Sequence, residues 1–178
     1  MTAMDDYRRN LNSILVTYQP KKILELGVEE GISTELFLSH PDIKLSSVDI
    51  LECKGAIAKV KDLKADKRWD FKVGDVNKLL DTYEKGYFDM IFMDVTYYDA
   101  TGGMDAEESS SHEYTSWLRD IKRCFNLLPN RGILVTNDYI RQAGSRSGHR
   151  KAISDFAIEL GKPFTVYPSR GGMAVFVK

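Results

Sequence analysis

The chain has 178 residues, 25 Lys and Arg against 26 Asp and Glu, and a formal net charge of −1. That length makes one domain, large enough to bury roughly two thirds of its unfolded surface without metal or disulfide staples. The balanced charge excludes a general polyanion-binding surface, so nucleic acid is not an expected partner. Cys53 and Cys124 lie far apart with no paired-ligand spacing and read as reduced thiols. Asp5, Asp6, Arg8 and Arg9 leave no apolar leader, and no apolar run reaches the roughly 20 residues that cross a bilayer. The expectation is a cytoplasmic protein without membrane contact.

Strand and helix patterns alternate along the chain. Residues 4–18 carry Tyr7, Leu11, Ile14, Leu15 and Tyr18 at helical spacing, and Pro20 ends that helix. A buried strand over 22–26 follows, then a short helix over 31–39 and a second strand over 44–50. A Lys-rich helix over 52–65, a third strand over 69–74 and a helix near 77–84 come next. Phe88 to Met93 is the most apolar strand, ending at Asp94. A loop over 97–111 leads to a helix over 112–127, and Ile133 to Thr136 is the fifth strand. After a loop over 139–148 and a helix over 149–160, strands 164–167 and 173–177 close the chain. Their connection is too short for a helical crossover, so they pair antiparallel. The expected fold is α/β: a Rossmann-like, doubly wound, seven-stranded, mostly parallel sheet with an antiparallel last strand and helices on both faces. Residues 1–178 form a single domain, with 1–20 as an N-terminal helix.

Residues Ile23 to Thr34 carry the chemistry. An apolar run ends in Glu25, a turn follows at Gly27, and Gly31 opens a helix. That is the layout of a nucleotide-type pocket at the first strand-to-helix turn. A dinucleotide fingerprint needs Gly-x-Gly-x-x-Gly, so that bare amides meet a pyrophosphate. Here the middle glycine is missing, and Glu29 and Glu30 would repel phosphate. A cationic ligand without phosphate suits the turn better, such as S-adenosylmethionine (SAM) with its sulfonium and amino groups.

Ligands of such sheets bind outside the carboxyl ends of the strands. Successive strand ends carry Glu25, Asp49, Asp75, Asp94 and the pair Asn137-Asp138. Any one of these acids would serve as a helix cap, but five in succession point to a ligand site. Asp49 is placed to accept both ribose hydroxyls of an adenosyl group. Asp75 would meet the adenine amine, with Ile50 and Val76 sandwiching the ring. Glu25 and Asp94 would face the cationic methionine end. Gly27, Val28 and Gly31 would bring backbone close to the ligand, and Ser33 would donate to its carboxylate.

With those segments in view, the chain resembles class I SAM-dependent methyltransferases, nearest to the small O-methyltransferases with a Glu-x-Gly-x-x-x-Gly-x-Ser/Thr first motif. The resemblance rests on 23–34, the strand ending in Asp49, the strand from Phe88 to Asp94, and Leu127 to Val135. It implies methyl transfer to an oxygen of a small acceptor. In the metal-dependent members a divalent ion, here Mg²⁺, is held at positions matching Asp94, Asn137 and Asp138. This sequence reads Asn-Asp where that group has Asp-Asn, and Thr96-Tyr97 where Lys or His is usual. Asp94 holding the cofactor and Asp138 capping a helix is the alternative.

Tyr97 and Tyr98 follow Asp94 and are candidates for the acceptor pocket, either as its wall or in catalysis. His112, and equally His149, is a candidate base carried on a lid. Residues 99–113 hold five acids and no Lys or Arg, whereas 141–151 hold Arg141, Arg146, Arg150 and Lys151 and no acid. The second loop would suit a phosphate- or carboxylate-bearing acceptor. Two other readings stay open: a different reaction of the same cofactor, as in a lyase or an aminopropyl-type transferase, and a non-catalytic cofactor-binding protein.

Overall fold

A computed structural model describes residues 3–97, 106–137, 139, 147–168 and 171–178. Its sheet has seven strands: β1 (Lys22–Leu26), β2 (Lys44–Asp49), β3 (Trp69–Val73), β4 (Met90–Met93), β5 (Ile133–Thr136), β6 (Thr165–Tyr167) and β7 (Met173–Val177). They lie in the order β3-β2-β1-β4-β5-β7-β6. β1 to β5 run parallel, and β7 runs antiparallel to both β5 and β6. The chain winds outward from β1 to β3, then crosses back to β4, so the switch in strand order falls between β1 and β4. The fold is the expected one.

Side chains alternate across a strand, and here the alternation sorts the core into two layers. Leu24, Leu26, Ile91, Met93, Leu134 and Phe176 point to one face. There they meet α4 (Val76–Leu79), α5 (Ala106–Leu127) and α6 (Ser147–Leu160). Ile23, Met90, Phe92, Ile133, Val135 and Val175 point to the other. That face is covered by α1 (Ala3–Tyr18), α2 (Ile32–Ser39) and α3 (Lys54–Asp62). Burying both faces explains why the strands read as continuous apolar runs rather than alternating ones.

The structure moves several boundaries. α5 begins at Ala106, six residues before the expected 112. Glu107 and Glu108 in its first turn complement the helix dipole, although the segment has no apolar period to announce it. β4 begins at Met90 rather than Phe88; Asp89, just before it, turns its carboxylate onto the N–H groups of Lys21 and of Lys22, the first residue of β1. α3 is shorter than 52–65, bounded by left-handed residues at Cys53 (φ 45°) and Lys64 (φ 53°). The helix expected near 77–84 is one α turn continued by a 3₁₀ turn over Leu80–Thr82. No helix among the described residues is long and apolar enough to cross a membrane.

Candidate functional site

The turn between β1 and α2 sits at the switch in strand order, and two glycines make its path possible. Gly27 has φ +87°, and a Cβ there would lie 2.1 Å from the Asp94 carbonyl oxygen. Gly31 has φ +71°, and a Cβ there would lie 2.6 Å from Ala56 Cα. The close approach expected of these glycines is therefore made by protein: the turn is wedged between the end of β4 and α3. Gly27 N–H donates to the Val48 carbonyl at 2.9 Å and Asp94 N–H to that of Leu26 at 2.9 Å, which locks three strand ends together.

Asp49 holds the turn from the other side. One of its oxygens accepts the N–H groups of Val28 (2.7 Å) and Glu29 (3.1 Å), and the other that of Leu51 (2.9 Å). This grip stabilises the left-handed Glu29 (φ 48°). Asp49 was expected to offer both oxygens to a ribose, yet three of the roughly four hydrogen bonds a carboxylate can accept are already made. Glu29 and Glu30 are exposed, as are Ile50 and Leu51 at the rim beyond β2.

Glu25 was expected to face the cationic methionine end of the ligand. It does not face the cleft: its exposure is 0%, on the α2 side of β1. Oε1 accepts from Ser33 Oγ at 2.5 Å, and Oε2 accepts from Thr34 Oγ1 at 2.8 Å and Ser47 Oγ at 2.7 Å. The indole N–H of Trp69 donates to Ser47 Oγ at 2.9 Å. Burial pushes the Glu25 carboxyl up to about 7, against the three hydroxyl donors and with Asp94 adding to the rise. Ser33, expected to serve a ligand carboxylate, spends its one hydrogen on Glu25. Asp75 caps α4 by accepting the Asn77 N–H at 2.8 Å. Ile50 is 72% exposed, but Val76, the first residue of α4, is buried in the core, so the expected sandwich has one free wall.

Asp94 and Asn137, from the ends of β4 and β5, are brought together: the Asn137 amide nitrogen lies 3.1 Å from both Asp94 oxygens. The amide oxygen of Asn137 is buried without a hydrogen-bond partner. Such an orphan is what a cation ligand would look like before binding, and an amide can present either atom. The pair therefore fits an oxygen-liganded ion. Asp138, the third expected ligand, lies outside the described residues, as do Tyr98 and residues 141–146. Among the described residues no group of three His, Cys, Asp or Glu gathers as a metal centre.

The candidate bases do not converge. Tyr97 turns its hydroxyl away, onto Asp120 of α5 at 2.5 Å, and packs its ring edge-on against Trp117. Burial, with Asp120 beside it, raises the phenol further above its ordinary range. His112 lies not at a helix start but in the second turn of α5, exposed. His149 is buried against Trp117, 3.0 Å from Glu113 but out of hydrogen-bond alignment.

Asp120 escaped the sequence reading. Fully buried, it accepts from Tyr97, from Arg119 at 2.9 and 3.0 Å and from Arg123 at 3.1 Å. Arg123 also donates to the Asn77 carbonyl at 2.7 Å, so one acid ties the segment after β4 to α5 and α4. A signal existed: Asp120 interrupts the apolar stripe of Trp117, Ile121, Cys124 and Leu128, where an acid needs partners.

No family model matches the sequence, and no curated protein matches it. Solved structures do. An O-methyltransferase from Bacillus cereus in complex with S-adenosylhomocysteine (SAH) is 15% identical, over 97% of this chain and 80% of that one, with TM-score 0.69. The O-methyltransferase TomG from Streptomyces achromogenes, involved in tomaymycin synthesis and complexed with SAM, is 14% identical over 95% and 78%, with TM-score 0.68. A methyltransferase from Geobacter sulfurreducens is 15% identical over 97% and 79%, with TM-score 0.68. This is the class I methyltransferase fold. Within the methyltransferase fold of this chain, the glycine turn, Asp49, and the Asp94–Asn137 pair all lie at one end of the parallel strands.

Proposed function

We propose that the chain binds SAM across the carboxyl ends of β1, β2 and β4 and transfers its methyl group to an oxygen of a small acceptor. The observation that carries the reading is the acidic glycine turn at the switch in strand order. Its Val28 and Glu29 amides are already given to Asp49, and Glu29 and Glu30 stand exposed beside them. A pyrophosphate entering there would find its donors occupied and carboxylates around it, whereas a sulfonium would find attraction. SAM or SAH bound in structures of the same fold supports the choice.

Gly31 caps α2 without a side-chain hydrogen bond, so the first amides of that helix are open to the amino-acid carboxylate of the ligand. At Asp49 a ribose hydroxyl would take the acceptor position that the Cys53 thiol now reaches. Asp94 would attract the ligand's ammonium. An acceptor oxygen held in line with the methyl group forms the new C–O bond as the C–S bond breaks, and the sulfonium positive charge is discharged as SAH leaves. The acceptor proton passes to solvent, because neither Tyr97, His112 nor His149 is set to take it. Positioning of the two reactants therefore supplies most of the rate. A divalent ion such as Mg²⁺ held by Asp94 and Asn137 would lower the pKa of the acceptor hydroxyl.

The test is calorimetric titration with SAH, followed by product analysis after incubation with SAM and a panel of small hydroxylated acceptors, with and without Mg²⁺. SAH and an acceptor heavier by one methyl group are expected. Methylthioadenosine as product would replace methyl transfer by another reaction of the same cofactor. Binding of NAD without SAH would reject the reading altogether.

A further inference from the structure

One hydrogen-bond direction around Glu25 is fixed by its surroundings, that of Ser47. An indole N–H only donates, so Trp69 occupies an acceptor position of Ser47 and the Ser47 hydrogen must go to Glu25. Oε2 thus receives two donors, Ser47 and Thr34, while Oε1 receives Ser33 alone. Either Ser33 or Thr34 can reverse. The single-donor oxygen with the shorter contact, Oε1 at 2.5 Å from Ser33 Oγ, is where we place an added proton, so that Oε1–H donates to Ser33 Oγ. The Ser33 hydrogen is then released. Ser33 is the second residue of α2, beside the open helix amides, and is itself 5% exposed.

We propose that ligand binding at the α2 N-terminus is proton-linked: Glu25 takes up one proton from solvent, and Ser33 turns its hydroxyl from Glu25 to the ligand's carboxylate. This rests on the reading of the site as one for SAM and SAH. Glu25 is a positioning residue, acting through Ser33 and touching no ligand. Burial places its carboxyl at about 7, within reach of ordinary buffers. The groups facing it are Ser33 and Thr34 from α2, Ser47 from β2, with Trp69 of β3 behind, and Asp94 beyond β4. The Cys53 thiol ahead of α3 also faces it, but burial and Asp49 push that thiol up to about 12, so it stays neutral across the range. Asp94 opposes ionisation of Glu25 and thereby favours the proton-bearing form.

The experiment is calorimetric titration of the protein with SAH in buffers of different ionisation enthalpy, from about pH 6 to about pH 8.5. Wild type should take up close to one proton per SAH through Glu25 at the alkaline end and almost none at the acid end. Its Kd should weaken roughly tenfold between about pH 7 and about pH 8.5. In Glu25→Gln the amide nitrogen donates to Ser33 permanently while the amide oxygen serves Ser47 and Thr34. That variant should take up about one proton fewer per SAH than wild type at the alkaline end, and the uptake it retains is that of the ligand's own amino group, which titrates at about 8. Ser33→Ala should also lose that one proton, and should weaken binding mainly at the acid end. SAH binding in wild type without proton uptake, or uptake in Glu25→Gln and Ser33→Ala no smaller than in wild type, would overturn the proposal and leave the cofactor reading intact. No SAH binding at any pH would overturn the cofactor reading, and the proposal with it.

Discussion

Replacing Gly27 by Ala tests whether the site depends on the wedge between β1 and β4. The new Cβ would lie 2.1 Å from the Asp94 carbonyl oxygen, against an ordinary C···O contact of about 3.3 Å. The turn must retreat by more than an ångström. That retreat strains the two hydrogen bonds flanking it, Gly27 N–H to Val48 and Asp94 N–H to Leu26, each worth about 1 kcal/mol net. A left-handed non-glycine residue adds about 1–2 kcal/mol. The sum is about 3 kcal/mol, which for a domain of this size lowers Tm by roughly 6–12 °C. Gly86 is the internal control: its φ is +82°, but nothing lies within 4 Å of a Cβ built there, so Gly86→Ala carries the backbone cost alone. Urea denaturation of both variants, with SAH titration of the folded fraction, reads stability and function separately. Gly27→Ala should also weaken SAH by at least tenfold, because the moved turn withdraws Val28 and Glu29 from Asp49. If Gly27→Ala were no less stable than Gly86→Ala and bound SAH normally, the wedge would have no role.

Three further outcomes follow from the same geometry. Asp49→Ala should cost about 1–3 kcal/mol of stability by leaving the buried Val28 N–H unpaired, and should weaken SAH at least tenfold; calorimetry within threefold of wild type would remove Asp49 from the site. Tyr97→Phe should cost about 1–2 kcal/mol in urea denaturation, through the lost bond to Asp120, with kcat of the folded enzyme within a fewfold of wild type; a hundredfold loss in kcat would make Tyr97 catalytic after all. Glu25 bears on stability with a definite sign. Its folded pKa, about 7, is raised above the ordinary 4.5, so the folded state holds the extra proton between those values. Its contribution is fully present below about 4.5 and is lost as pH rises through about 7, a change of about 3 kcal/mol at most. Relative to wild type without ligand, Glu25→Gln should therefore gain stability between about pH 5 and about pH 8, and parallel urea profiles would contradict the buried-carboxyl account.

The order of elements and the placing of acids at strand ends were legible because both follow from local rules. Apolar runs of strand length between helical periods force a parallel sheet, and the short link between β6 and β7 forces the antiparallel return. What each acid does was not legible, because it depends on partners brought in by folding. Glu25 is consumed by Ser33 and Thr34, eight and nine positions on, and by Ser47, which reaches it only through the pairing of β1 with β2. Asp75 and Asp94 carry the same residue type at equivalent places, yet one caps a helix and the other meets Asn137. Tyr97 reads as a pocket residue by its distance from Asp94, and only the approach of Asp120 on α5 turns it aside. The first turn and a half of α5 were missed because exposed polar residues have no apolar period.

These strand-end acids divide by whether their lone pairs are spent. Glu25 accepts three hydroxyls in a closed space, so it can act on a ligand only through Ser33. Asp49 accepts three amides at the rim, and the Cys53 thiol reaches it as well, so its main service is to shape the turn. Asp94 meets the Asn137 amide, whose nitrogen lies 3.1 Å from both of its oxygens. Glu29 and Glu30 stand exposed at the same rim as Asp49, and their charges act on whatever enters. A hydrogen bond made to the protein removes an acceptor position without removing the charge behind it. The same acids can thus be structural in their contacts and selective in their field, favouring a sulfonium over a pyrophosphate without touching either.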